Sequence, residues 1–166
     1  MKSVWVCLWT TAIVFLYDAT LPAESKRFTK DTRVTHKPVV KDAKTGLIWQ
    51  GCTAGQTGDN CATNSAQIMT WQDALAYCAN LKWGDDDAGY WRLPSVVELS
   101  SIVDDRECSP SIDADAFPAT MSDGYWSSSS NAYYEVHAWY VNFNYGDVDS
   151  DGKDDNYYAR CVRSGP

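Results

Sequence analysis

The residues of this chain best suited to chemistry lie close to its C-terminus. Asp147-Val148-Asp149-Ser150-Asp151-Gly152-Lys153-Asp154-Asp155 contains the D-x-D-x-D-G core of a calcium loop. Carboxylates at alternate positions, with glycine where the chain must turn sharply, suit a hard cation that prefers oxygen. The expected metal ligands are Asp147, Asp149, Asp151 and Asp155. The twelfth position of that frame is Tyr158, so the bidentate glutamate of an EF-hand is missing. Calcium is thus the one cofactor the sequence suggests, and none is required. The competing reading is a solvated acidic loop.

Catalytic signals are weaker. A general base needs a positioned partner. His137 shares a strand-like face with Trp139 and Val141, the usual setting of a packed or surface histidine. The serines Ser127 to Ser130 lack a G-x-S-x-G context. No phosphate loop and no H-E-x-x-H occurs.

Recognition is the stronger theme. Tyr125 to Arg163 holds seven of the ten tyrosines, set among Ser, Asn, Asp and Gly. Tyrosine offers a large contact area with few rotatable bonds, and the small polar residues offer adaptable hydrogen bonds. The candidate ligand-binding residues are Tyr133, Tyr134, Glu135, Tyr145, Asp147, Asp149, Asp154, Asn156 and Tyr157. They are expected on loops around residues 131–135 and 144–157, facing water and tolerant of substitution. Trp49, Trp71, Trp91, Trp126 and Trp139 are expected in the core.

These residues need a frame. Pro38-Val39-Val40 and Leu47-Ile48-Trp49 flank a Gly-containing turn and read as a hairpin. Before it, residues 24–37 read as a solvated lead-in with one strand near 33–35. Gly51 to Asn64 reads as a loop that a local Cys52–Cys61 bridge would close. Thr70 caps a first helix, whose apolar face is Trp71, Ala74, Leu75, Cys78 and Leu81. The acidic turn Gly84 to Gly89 ends that element. Ser95-Val96-Val97-Glu98 is a capping box opening a second helix, with Val97, Leu99, Ile102 and Val103 facing inward. Ala116-Phe117 plugs the core from an irregular stretch between Pro110 and Pro118. Strands follow at Tyr125–Ser128, Val136–Phe143 and Tyr157–Arg163. Helices first and antiparallel strands later indicate an α+β domain.

The N-terminus has a different character. Met1-Lys2, an apolar run from Val4 to Tyr17 and small residues up to Ala23 describe a secretory signal, expected to be cleaved after Ala23. Export puts the cysteines in an oxidising compartment, where they read as bridges. Five remain after cleavage, an odd number. Their spacing lacks the close pairs of a zinc site. The net charge of −8 argues against nucleic acid as a partner.

Six ordered motifs carry a resemblance. They are Thr45-Gly46-Leu47-Ile48-Trp49-Gln50, the run Thr70 to Cys78, Trp91-Arg92-Leu93-Pro94-Ser95 with Glu98-Leu99, Tyr125 to Ser129, Ala138-Trp139-Tyr140-Val141, and Arg160-Cys161-Val162-Arg163. The set resembles the Lcl C-terminal domain family, found in a bacterial collagen-like adhesin and in many exported proteins. The resemblance implies a C-type-lectin-like fold related to the formylglycine-generating enzymes. It also implies a bridge from a helix cysteine to one on the last strand, the positions of Cys78 and Cys161. Residues 131–158 further resemble the variable segments of diversity-generating retroelement proteins.

The expected organisation is a signal peptide at 1–23, a lead-in at 24–33 and a disulfide-stapled α+β, C-type-lectin-like domain with two helices at 34–163. The expected function is a lectin-like recognition or adhesion module of a bacterium or phage, with no enzymatic activity. Its partner would be an extracellular glycan or protein, met in the periplasm, at the cell surface or after secretion. Membranes enter only through export or display. Two alternatives stand beside it. One is a formylglycine-generating-type enzyme working through a thiol at Cys108. The other is a structural envelope module without a ligand.

Overall fold

A computed structural model describes residues 26–33, 36–83 and 91–165. The expected signal peptide, the acidic turn at 84–89 and part of the strand expected at 33–35 lie outside the described residues.

The expected hairpin forms. β2 (Val39–Asp42) and β3 (Leu47–Gln50) pair antiparallel, Val40 opposite Trp49. Asp42 holds the turn: its carboxylate accepts from the Lys44 amide and the Thr45 hydroxyl. Gly46 ends the turn at φ +72°, where a side chain would be strained. Residues 28–31, read as solvated lead-in, instead form β1 (Phe28–Asp31) against β2. The reason is tertiary. Phe28 meets Phe117 edge to face at 5.2 Å, and Arg27 pairs with buried Asp42 while lying over the Phe28 ring. The last strand, β7 (Val162–Ser164), closes this sheet against β3, giving the order β1-β2-β3-β7.

Two short helices follow their caps. α1 (Trp71–Ala79) starts at Thr70, whose hydroxyl accepts from the Asp73 amide. It buries Ala74 and Cys78. α2 (Val96–Ser100) starts at Ser95 with both halves of the capping box formed. The expected inward face of this helix needs correction. Leu99 and Ile102 are buried, but Val97 is 77% exposed. Val97 is two positions from Leu99, and residues two apart on a helix do not share a face.

The second sheet is a meander of β4 (Gly124–Ser130), β5 (His137–Asn142) and β6 (Asp147–Gly152). Each face contributes residues to a core. One face gives Trp126 and Ala138 to a core shared with Cys78, Trp83 and Trp91. The other gives Tyr125 and Val141 to a core shared with Trp49, Leu99 and Phe117. Of the five tryptophans expected inside, Trp49, Trp91 and Trp126 are buried in these cores, Trp71 is half-buried against the first, and Trp139 is half-buried and belongs to neither.

Cys52–Cys61 and Cys78–Cys161 are both bridged. The second ties α1 to the segment entering β7. Arg160, beside it, is fully buried and has no acidic partner among the described residues. Its guanidinium donates to the Gly51 carbonyl at 2.9 Å and the Thr120 hydroxyl at 2.8 Å, and it lies over the Phe117 ring. Burial pushes its pKa down. Gln50 braces the same spot, accepting from the Cys161 amide and donating to the Tyr77 hydroxyl.

Candidate functional site

The nominated binding residues do not gather into one patch. They run along the β5–β6 hairpin. Tyr133, Tyr134 and Glu135 precede β5, at the end where Asp154 follows β6. Tyr145 sits in the turn at the opposite end, beside Asp147. Six residues of strand separate the two ends, about 20 Å at the usual rise.

The loop before β5 is a built feature. Asn131 is nearly buried, and its side-chain oxygen accepts from the amides of Tyr133 and Tyr134 at 2.9 and 3.3 Å. Its side-chain nitrogen donates to the Ser150 hydroxyl, fixing the loop to β6. Such an Asx turn replaces backbone pairing where the chain reverses. From the other side the Lys153 ammonium donates to the Glu135 carbonyl at 2.6 Å and the Ser130 hydroxyl at 2.8 Å. It also lies 4.6 Å over the Trp71 ring. Tethered in this way, the loop holds Tyr133 at 91% exposure and Tyr134 at 64%, with Val136 exposed beside them. The Tyr134 ring lies 5.6 Å from that of His137.

At the far end, Tyr145 is 69% exposed, and Gly146 takes φ +78° close to Val103. Glu135, Asp147, Asp149, Asp154 and Asn156 are exposed as expected. Tyr157 is the exception. It is half-buried, stacked on Tyr140 at 4.5 Å and edge-on to Trp126 at 4.8 Å. Its hydroxyl donates to Asp151 at 2.8 Å. Burial and that carboxylate together push its pKa well above the usual tyrosine value. Tyr157 is built into the framework, with part of its ring still reaching the surface.

The calcium frame is extended, where the sequence suggests a loop. Asp147, Asp149 and Asp151 lie in β6, not in a loop. The tight glycine turn that wraps a calcium loop around its ion is replaced here by an extended strand. Asp149 and Asp151 turn back to accept from the amides of Ser150 and Gly152. The Asp155 side chain lies within hydrogen-bond reach of Asp151. Among the described residues no group of three or more such side chains is placed to hold a metal ion.

The serine run is engaged in structure. Ser127 donates to the Trp139 carbonyl, Ser129 accepts from the Val96 amide, and Ser130 accepts from Lys153. Cys108 is exposed and outside both bridges. Sequence reasoning missed Asn131 and Lys153 as the residues that hold the loop. Their signal was available: an Asn followed by turn residues at a strand end is a standard Asx turn. No helix among the described residues is long and apolar enough to cross a membrane.

The family model described as the Lcl C-terminal domain matches residues 38–163, most of the chain. The chain therefore belongs to the Lcl C-terminal domain family. No curated protein matches it.

Proposed function

We propose that this member of the Lcl C-terminal domain family is an exported, C-type-lectin-like recognition module. It binds an extracellular glycan or protein through the loop before β5, with no chemical step. One observation carries this reading. Two tyrosines and a valine are held in water by a loop that a buried asparagine and a lysine pin from two sides. Exposed aromatic side chains on a rigid backbone give contact area without a large ordering cost on binding. Two disulfides in a small domain fit an oxidising compartment outside the cytoplasm. The separation of frame from display also suits a surface diversified within residues 131–158.

The test uses glycan and protein arrays probed with the secreted chain. Captured ligand should be lost by at least about tenfold in Tyr133→Ala and Tyr134→Ala, as for aromatic hot spots, with melting unchanged. Asn131→Ala should weaken capture although Asn131 touches no ligand. Capture that survives all three substitutions would leave a structural module as the better account.

A further inference from the structure

A second surface lies on the face of the β4–β5–β6 sheet that carries Tyr140. Directly opposed residues of an antiparallel pair share a face. Tyr140 opposes Asp149 on β6 and Trp126 on β4, and Asn142 opposes Asp147 and Gly124. Because Gly124 has no side chain, the Tyr157 ring fills its place and stacks on Tyr140. The result is a pair of stacked, half-exposed tyrosine rings edged by carboxylates. Asp123 joins them: its field, with those of Asp149 and Asp151, acts on the Tyr140 hydroxyl, whose pKa burial already raises.

The charge there is uncompensated. Asp31, Asp42, Glu98 and Asp104 each pair with an arginine. Among the described residues no lysine or arginine pairs with Asp123, Asp147 or Asp149. From Asp123 to Tyr158 the only lysine or arginine is Lys153, which is turned toward Trp71 and Glu135. The free edge of β6 is also closed to strand addition. The Ser150 and Gly152 amides are capped by Asp149 and Asp151, and charged edge residues oppose pairing.

We infer that this sheet face docks an arginine-rich segment of a partner protein, taken through its side chains. Guanidinium groups would meet Asp147 and Asp149 and lie against the Tyr140–Tyr157 pair. The molecule already contains that arrangement: Arg27 pairs with Asp42 through two hydrogen bonds while its guanidinium lies 4.4 Å over the Phe28 ring. Arginine suits it better than lysine, because its planar fork both stacks on rings and bonds a carboxylate twice. An anionic ligand would meet like charge.

The face is separate from the Tyr133–Tyr134 loop, so the two fail independently. The probes are fluorescent oligo-arginine, oligo-lysine and oligo-glutamate peptides of equal length, titrated into the full secreted chain by anisotropy. Oligo-arginine should bind tightest and oligo-glutamate not at all. Asp123→Asn/Asp147→Asn/Asp149→Asn should weaken oligo-arginine by about tenfold, as three exposed charge contacts would, with melting unchanged. Tyr133→Ala/Tyr134→Ala should leave it unaffected. The control Asp59→Asn/Glu107→Gln/Asp115→Asn removes equal charge elsewhere. An equal loss in the control, equal affinity for lysine and arginine, or no binding to the unaltered protein overturns the inference.

Discussion

Tyr157 and Tyr133 are both tyrosines among turn-forming residues, yet the structure assigns them opposite roles, which a denaturation series can measure. In Tyr157→Ala, two ring contacts vanish, with Trp126 at 4.8 Å and with Tyr140 at 4.5 Å. Each aromatic pair contributes about 0.5–1.5 kcal/mol beyond area burial. The hydroxyl bond to Asp151 contributes about 1 kcal/mol at a partly exposed site. The expected loss is about 3 kcal/mol, at the lower end for large-to-small aromatic changes. Tyr157→Phe should lose only the hydroxyl share, about 1 kcal/mol. Tyr133→Ala should stay within about 0.5 kcal/mol of the unaltered protein, as surface substitutions do. Gly124 supplies a second handle. A Cβ there would run into the Tyr157 ring, so the ring must move. Gly124→Ala should cost about 1–3 kcal/mol by overpacking. That cost should shrink in the Tyr157→Ala background, because the two residues compete for one space. Urea unfolding of the two single variants and the double variant reads out the coupling. If Tyr157→Ala is as stable as Tyr133→Ala, or if Gly124→Ala costs the same in both backgrounds, the framework role of Tyr157 is wrong.

Two further outcomes follow from the frame. Replacing both Cys78 and Cys161 by alanine opens a loop of 83 residues, which the chain-entropy relation values at about 4.5 kcal/mol; opening the nine-residue Cys52–Cys61 loop is valued at about 2.6. The first pair should therefore lower the urea midpoint more, and the reverse order would refute the entropic account. The hydrogen bonds from Arg92 are the main cause holding Glu98 down from 4.5 to about 2. A depressed carboxylate stabilises the fold above its unfolded pKa, and that share is lost as pH falls through the folded pKa. Stability should decline between about pH 4.5 and 2, and Glu98→Gln should flatten part of that slope in pH-dependent urea titrations. Asp31, held at about 2 chiefly by Arg33, keeps its own contribution in the same window.

Local signals wrote most of the frame. Thr70 and Ser95 start helices because a side-chain oxygen can satisfy an orphan amide within three residues, a condition visible in the sequence. The β2–β3 turn is likewise local, fixed by Asp42 and Gly46. Interactions between distant residues left no such trace. Nothing near Phe28 shows that Phe117 will cover it, so a charged stretch read as solvated becomes the edge strand β1. Arg160 is the extreme case. Its charge argues for the surface, and only the convergence of Gly51, Thr120 and Phe117 from far along the chain makes its burial tolerable.

The proposed binding surface shows the same division from the other side. Composition separates a region rich in Tyr, Ser and Asp from the frame, but does not separate its tyrosines from one another. Strand periodicity does so only once β6 is known to be a strand. The acidic run Asp147–Asp155 reads in sequence as either a calcium loop or a solvated acidic loop, because alternate carboxylates suit an ion in a turn. The same alternation is what a strand edge needs to repel pairing, and the β5–β6 register places these carboxylates on the edge strand. With β6 extended, Tyr157 returns over Gly124 and packs against the core, while Tyr133 and Tyr134 stay outside on a loop that Asn131 holds in shape. Exposed tyrosine is therefore informative here only where a buried side chain is committed to presenting it. Tyr133 and Tyr134 meet that condition through Asn131, and that distinguishes them from ordinary surface aromatics.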